Sequence, residues 1–435
     1  MDDDARQLPV GFIDVLSNSV VLRHVSPYVP VRSLLALRAS CKTLREMLAH
    51  SDAWRHLDLT SITSATIDAA PIDVGGVSWR AERMDEALTM DDFAAGPLRG
   101  IFDRLRQGRV LQCVQTLILD GLSVPADLVR EIVAEDRYSV RVLSIRDVKH
   151  LNQGKLQQVL RYAVRPTRPS GTPKLKALYC FGMKDAAFPR TQQQLGHRHP
   201  RALGVMASEG AQIGAEWSQE SFTTSKFDVS SERWYRSAGR VLLKPQSDWA
   251  DTLVACKDII AFDAVLCRGP RHKIAKVDSK NFLQPSIAIV ALGHGCQTCH
   301  GCPERPAVFG GSEISHIPLL EPVPLHASTV RAAQIPTTSN ADSYPQLILR
   351  CEDCLRGRWC ERCNRWWCEE CYAEPVSRDH LRTELDQMEA PASSHPSGWA
   401  GSSEKAEVKV YAKFCVEHCL VAEMMAGAGS GGMWG

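Results

Sequence analysis

The sequence predicts a multi-domain α/β protein: a helical N-terminus, a repeating middle and a cysteine-rich C-terminal region. Three observations carry that expectation. Apolar residues between 21 and 48 recur at helical spacing, one apolar pattern returns three times between 114 and 183, and eleven of the sixteen cysteines lie after residue 295. At 435 residues the chain is too long for one ordinary core. A net charge of +1 supplies no bulk field toward nucleic acid or membrane. The start, "MDDDARQLPVGF", lacks the basic-then-apolar order of a signal peptide, and no apolar run is long enough to cross a bilayer. The expected compartment is the cytosol or nucleus, where thiols stay reduced.

The first element is helical. Val21, Leu22, Val25, Tyr28 and Val29 form one apolar stripe, and Leu34, Leu37, Cys41, Leu44 and Leu48 share a second face. Pro30 and Ser33 sit where one helix stops and the next begins. So short a helical hairpin buries little, and an apolar face is left for a partner. The ordered series Val21-Leu22, Val25, Tyr28-Val29-Pro30, Leu34-Leu35, Leu37-Arg38, Cys41-Lys42, Leu44-Arg45 and Trp54-Arg55-His56-Leu57-Asp58-Leu59 resembles the F-box. It departs from that pattern at its opening, where Ser17-Asn18 stands in place of Leu-Pro. The resemblance implies a three-helix domain over residues 1–60 that docks on the Skp-type adaptor of a cullin–RING ubiquitin ligase. It places the adaptor contact on Val21, Leu22, Val25, Tyr28, Pro30, Leu34, Leu35, Leu37, Cys41 and Leu44, and leaves the rest of the chain to hold a protein substrate.

The middle, 61–295, repeats. "VQTLILDGL", "VRVLSIRDV" and "LKALYCFGM" place Val114, Leu117, Leu119 and Leu122; Val140, Leu143, Ile145 and Val148; and Leu175, Leu178, Cys180 and Met183. Each series has apolar steps of three, two and three. Amphipathic segments lie between them, and Ile259, Phe262, Ala264 and Cys267 continue the same offsets after a polar insertion near 186–232. This is similar to leucine-rich repeats, and the expected fold is an irregular α/β solenoid with an exposed face for binding. An ordinary parallel α/β domain is the alternative. No catalytic constellation emerges. Arg268, Arg271 and His272, with Lys273, form a small basic cluster, a possible contact for an acidic or phosphorylated substrate segment or a plain solvated loop.

The region 296–420 carries the thiols. Cys351-x2-Cys354, Cys360-x2-Cys363 and Cys368-x2-Cys371 follow one another in 21 residues, with Cys296-x2-Cys299 and Cys302 upstream and Cys415, His418 and Cys419 downstream. Two cysteines at this spacing turn both sulfurs toward one metal, and a structural zinc takes four ligands. The expectation is about two zinc ions. Cys351, Cys354, Cys368 and Cys371 hold one, and Cys360, Cys363, Cys415 and His418 or Cys419 hold the other; alternatively Cys296 and Cys299 join Cys351 and Cys354. Trp359, Trp366 and Trp367 are read as a small core around the metal. Catalytic zinc and thioredoxin-like chemistry fit the tandem spacing poorly. The stretches 303–345 and 374–408 read as linkers or mobile loops, and 421–435 as a disordered tail. Taken as a group, fungal F-box proteins with degenerate repeats and a tryptophan-rich cysteine tail look similar. The resulting expectation is a non-catalytic substrate receptor of a Skp–cullin–F-box (SCF) ligase. The alternatives are a zinc-finger scaffold or transcription regulator, and an atypical RING-like ubiquitin ligase. Acidic and basic residues alternate through 350–372, so nucleic acid is not an expected partner.

Overall fold

Leu57, Leu117, Leu143, Leu178 and Phe262 stand side by side across one parallel sheet, which organises the computed structural model of the chain. The structure describes residues 11–49, 51–65, 90–184, 248–277, 281–292, 295–301, 305–335, 346–372, 408–411 and 413–422. The expected insertion at 186–232, Cys302, nearly all of 374–408 and the tail from 423 lie outside the described residues. Among the described residues, no helix is long and apolar enough to cross a membrane.

The sheet consists of β1 (His56–Asp58), β2 (Thr116–Ile118), β3 (Val142–Ser144), β4 (Ala177–Tyr179) and β5 (Ala261–Phe262), in sequential order. Each repeated apolar segment supplies one strand. Successive strand residues point to opposite faces, so Leu117, Leu143 and Leu178 turn together to one side, where all three are fully buried. Helices Met90–Gln107, Ala126–Ala134, Gln153–Ala163 and Trp249–Cys256 alternate with the strands along the chain. Leu128, Val129, Ile132, Leu156, Leu160 and Leu253 from three of them enter the same core. After β2 and β3 the chain turns at equivalent positions, Gly121 and Asp147, both left-handed with φ of 73° and 52°. After β4, the buried carboxylate of Asp263 accepts the amides of Cys180, Phe181 and Gly182.

The other sheet face is not open, contrary to the expectation of an exposed binding surface. Residues 317–334 cross it, and Leu319, Val323 and Ala333 pack on Ile118, Val142, Ala177 and Tyr179. The Leu319 amide donates to the Phe262 carbonyl (2.8 Å) and the Tyr179 hydroxyl to the Leu320 carbonyl (2.9 Å). Beneath the strap, buried Arg146 pairs with Asp120 (2.7 Å) and lies 3.7 Å from Glu321. The cause is in the strands: with apolar residues on both faces, the second face also needs a cover. The reading of 303–345 as loose chain therefore fails for 317–334.

The N-terminal region forms four short helices rather than three: α1 (Phe12–Ser17), α2 (Ser19–Val25), α3 (Val31–Ser40) and α4 (Lys42–Met47). The break between α3 and α4 falls at Cys41, whose backbone is extended and whose sulfur accepts the Leu44 amide. Leu22, Leu34 and Leu44, expected on a docking face, are buried instead. With Leu16, Leu48 and Trp54 they belong to one apolar cluster that runs on through the sheet to Leu349. Val25, Tyr28 and Leu35 remain exposed.

Beyond the parallel sheet, β6 (Val290–Leu292), β7 (Ala307–Val308) and β8 (Gln346–Arg350) pair antiparallel in the order β6-β8-β7. The short hairpin β9 (Val410–Tyr411) and β10 (Phe414–Cys415) closes the cysteine-rich part. A separate apolar cluster forms here around Trp359, Trp366, Trp367 and Tyr372.

Candidate metal centres

Twelve side chains gather into three groups of four. Centre 1 is Cys267, His272, Cys351 and Cys354; centre 2 is Cys296, Cys299, Cys368 and Cys371; centre 3 is Cys360, Cys363, Cys415 and Cys419. Within each, the four potential ligand atoms lie within 4.8 Å of one another. Taken as six pairs along the chain, the first joins the third, the second the fifth and the fourth the sixth, so the centres interlock.

The knuckles form for local reasons. In each Cys-x2-Cys turn, the amide four residues on donates to the first cysteine's carbonyl: His300 to Cys296 (2.8 Å), Leu355 to Cys351 (3.2 Å), Asn364 to Cys360 (2.8 Å) and Tyr372 to Cys368 (3.0 Å). His300 and Asn364, each just after a second cysteine, are left-handed with φ of 54° and 57°, a conformation that His and Asn tolerate better than most residues. Gly295, ahead of the first knuckle, leaves room for the His300 carbonyl, into which a Cβ would run. Cys415 instead caps a single wide turn at Val416–Leu420, and Cys419 lies within it.

The donor geometry fits a tetrahedral ion. Zinc–sulfur bonds of about 2.3 Å imply sulfur–sulfur edges of about 3.8 Å. Cys267–Cys354 and Cys299–Cys368 stand 3.8 Å apart, and Cys363–Cys415 3.7 Å. The Nε2 of His272 lies 3.3 Å from Cys351 Sγ and 3.4 Å from Cys354 Sγ. Its Nδ1 is 3.1 Å from the Leu283 carbonyl, which only accepts. One proton therefore sits on Nδ1, and Nε2 is the nitrogen that would present a lone pair to a bound ion; without one, against burial, the thiol sulfurs around it raise the pKa of His272 to about 10. Backbone amides point at the sulfurs: Cys351 N and Gly269 N donate to Cys267 Sγ (3.1 and 3.3 Å), Cys368 N to Cys296 Sγ (3.2 Å) and Cys419 N to Cys415 Sγ (3.4 Å).

These amides shape the ionisation. Burial pushes the Cys296 thiol up, but the amides of Cys299, Cys368 and Thr298 outweigh it and bring it down to about 7. Cys360 is lowered in the same way, against burial, by the amides of Cys363 and Cys415. Its neighbour Cys363 moves the opposite way, to about 11, through burial and then the nearby Cys360 and Cys415 sulfurs. Centres 2 and 3 thus each combine one thiol shifted toward ionisation with two shifted away from it, Cys368 and Cys371 in one and Cys363 and Cys419 in the other; metal binding displaces their protons. Four closed protein donors leave no open position, so the arrangement is compatible with structural zinc rather than catalysis.

The expected ligand pairing is corrected in part. Cys360, Cys363, Cys415 and Cys419 come together as anticipated, whereas His418 is exposed outside the group. Cys351 and Cys354 meet neither Cys368 and Cys371 nor Cys296 and Cys299; those two pairs form a centre of their own. Among the described residues three clusters exist where about two ions were expected. The chain also draws Cys267 and His272 across the boundary placed at 295/296. Their signal was legible as Cys-x4-His inside "LCRGPRH", but its arginines directed the reading to a substrate contact. Arg271 is committed elsewhere, donating to the carbonyls of Asp353 (3.2 Å) and Asn281 (3.4 Å). Arg268 is half-buried beside the same strand, its amide on the Leu349 carbonyl.

The tryptophans pack in one apolar cluster with cysteines of centres 2 and 3. Trp366 and Trp367 are buried, Trp359 pairs with Trp366 across an antiparallel bridge, and the Arg350 guanidinium lies over the Trp366 ring. Arg358, also buried, pairs with Glu369 at 3.0 Å. Scanned against protein-family models the chain matches none, and no curated protein matches it.

Proposed function

We propose that the chain is a non-catalytic substrate receptor of an SCF-type ubiquitin ligase, acting in the cytosol or nucleus. Its N-terminal helices dock on a Skp-type adaptor, its middle is a degenerate leucine-rich-repeat unit, and three structural zinc ions hold its C-terminal region. The observation that carries this reading is a concentration of exposed apolar side chains on the N-terminal helices, within the F-box-like series and just ahead of it. Of sixteen large apolar residues exposed among the described residues, seven lie between Phe12 and Leu35: Phe12, Ile13, Val15, Val20, Val25, Tyr28 and Leu35. Exposed apolar side chains gathered on one short helical segment suit an interaction surface. Sequential parallel strands alternating with helices support the repeat reading, and the 3.7–3.8 Å sulfur edges support zinc.

The test is capture of a purified Skp-type adaptor by the full chain. Val25→Asp with Leu35→Asp places charge on the exposed patch, where an unpaired carboxylate costs several kcal/mol once covered. Leu34 is left intact, since it is buried and its replacement would unfold the helices. Capture should vanish in the double variant with melting temperature and zinc content unchanged. Failure of the wild-type chain to capture the adaptor, or full capture by the variant, rejects the reading.

A further inference from the structure

The residues that lead into the first four strands are Arg55, Gln115, Arg141 and Lys176. They form one row across the sheet edge. The Gln115 amide donates to the Arg55 carbonyl (2.8 Å), Arg141 to Gln115 (2.7 Å) and Lys176 to Arg141 (2.8 Å). Neighbouring strands lie about 4.8 Å apart, so three cations fall along one edge within roughly 15 Å. Lys174 adds a fourth, its ammonium held by the carbonyls of Asp136 (3.0 Å) and Tyr138 (2.9 Å). The Arg55 guanidinium is held in turn by Gln115 Oε1 (2.9 Å), which also accepts from the Ser328 hydroxyl (2.6 Å).

These four cations line a cleft of about 790 Å³, walled on another side by Ser328 and Thr329 of the strap. Among the described residues its one lining carboxylate, Asp52, stands 3.9 Å from Arg55. Asp136, 3.8 Å from Lys174, is fully exposed. The side chains of Arg141 and Lys176 have no hydrogen-bond or ion-pair partner among the described residues. Burial, and then the charge of Arg23, pull the Arg55 guanidinium below its usual range, with Arg141 adding to the effect and Asp52 opposing it. Like charges held by backbone register and fixed hydrogen bonds repel one another until an anion arrives.

We propose that this cleft binds a small polyphosphorylated anion. Arg55 and Lys174 are pre-positioned for it, and Arg141 and Lys176 are the unengaged donors. Guanidinium groups match phosphoryl oxygens in pairs, and ammonium groups add point charges. The row is longer than one phosphoryl group, so several phosphates are needed to engage it, and the cleft volume is that of a small-ligand site. The assignment is independent of adaptor docking, which uses the exposed apolar helices.

The experiment titrates tripolyphosphate into the full-length, zinc-loaded chain by calorimetry, at low and at near-physiological salt. Saturable binding that weakens with salt is expected. Arg141→Glu with Lys176→Glu should weaken it by more than about tenfold, with melting temperature and zinc content unchanged because the changes lie at the cleft's edge. Lys155→Glu, on the exposed face of a helix, should leave it intact. Arg141→Gln with Lys176→Gln gives the same readout if the charge reversal impairs folding. No saturable tripolyphosphate binding, or equal affinity in the variants, overturns the proposal. So does binding of a phosphoserine peptide where tripolyphosphate fails, since that would make the site one for a protein-borne phosphate.

Discussion

Gly269 shows how far one atom decides a site. A Cβ at this position would sit 2.6 Å from Cys354 Sγ and 3.4 Å from Cys267 Sγ. Two ligands of centre 1 therefore occupy the space a side chain needs. Gly269→Ala should push these sulfurs off a tetrahedral edge and weaken metal binding at centre 1 at least roughly tenfold relative to wild type; a competitive chelator titration in which the variant releases metal at the same chelator concentrations as wild type would refute this. His56 makes a different demand. It is buried in β1, and its Nδ1 has no hydrogen-bond partner. Burial, against the opposing charge of Asp58 and with a further push from the nearby His326, holds its pKa below the ordinary 6.5. Folded protein then resists the proton that the unfolded chain accepts. The stabilisation is complete above about pH 6.5 and is lost as pH falls below that value. Denaturant midpoints between neutral pH and pH 5.5 should fall more steeply for wild type than for His56→Leu. Acid loss of metal is common to both, so the difference between the two slopes is the readout.

At the scale of elements, the Cys-x2-Cys knuckle is self-sufficient, but the choice of partner knuckle is not. Cys351 and Cys354 sit at the end of β8, and β8 pairs with β6 and runs beside the 267–272 loop, where the Arg268 amide meets the Leu349 carbonyl. Strand pairing, not sequence distance, thus brings Cys267 and His272 to them. Elemental analysis should find three zinc ions per chain, falling to two in Cys267→Ser with His272→Asn. His418→Asn should keep all three, because Cys419 occupies the fourth position. Three ions retained without Cys267 and His272 would remove centre 1 from the proposal.

At the scale of the molecule, two principal apolar clusters form among the described residues. The larger runs from Leu16 through the parallel sheet to Leu349, so the N-terminal helices share buried contacts with the sheet. The smaller surrounds the tryptophans and contains cysteines of centres 2 and 3. Stripping metal should consequently melt the smaller cluster and spare the larger. By hydrogen exchange, amides in 296–301, 351–372 and 413–420 should lose protection in chelator, while those in 114–145 keep theirs. Uniform loss across both would mean that the ions support the entire fold.

The sequence by itself determined what depends on near neighbours. Helical periodicity placed the N-terminal helices; the recurring steps of three, two and three placed β2, β3 and β4; and two-residue spacing placed each knuckle. These patterns are legible because a strand, a helix face or a Cys-x2-Cys turn is specified within a few residues. Only the tertiary structure decided which pairs share a centre, that Leu22, Leu34 and Leu44 face inward, and that 317–334 covers the sheet. Each is set by contacts between segments tens to hundreds of residues apart. There the gain comes from burying a particular surface or gathering four donors, and local spacing carries no record of which distant segment supplies the other half.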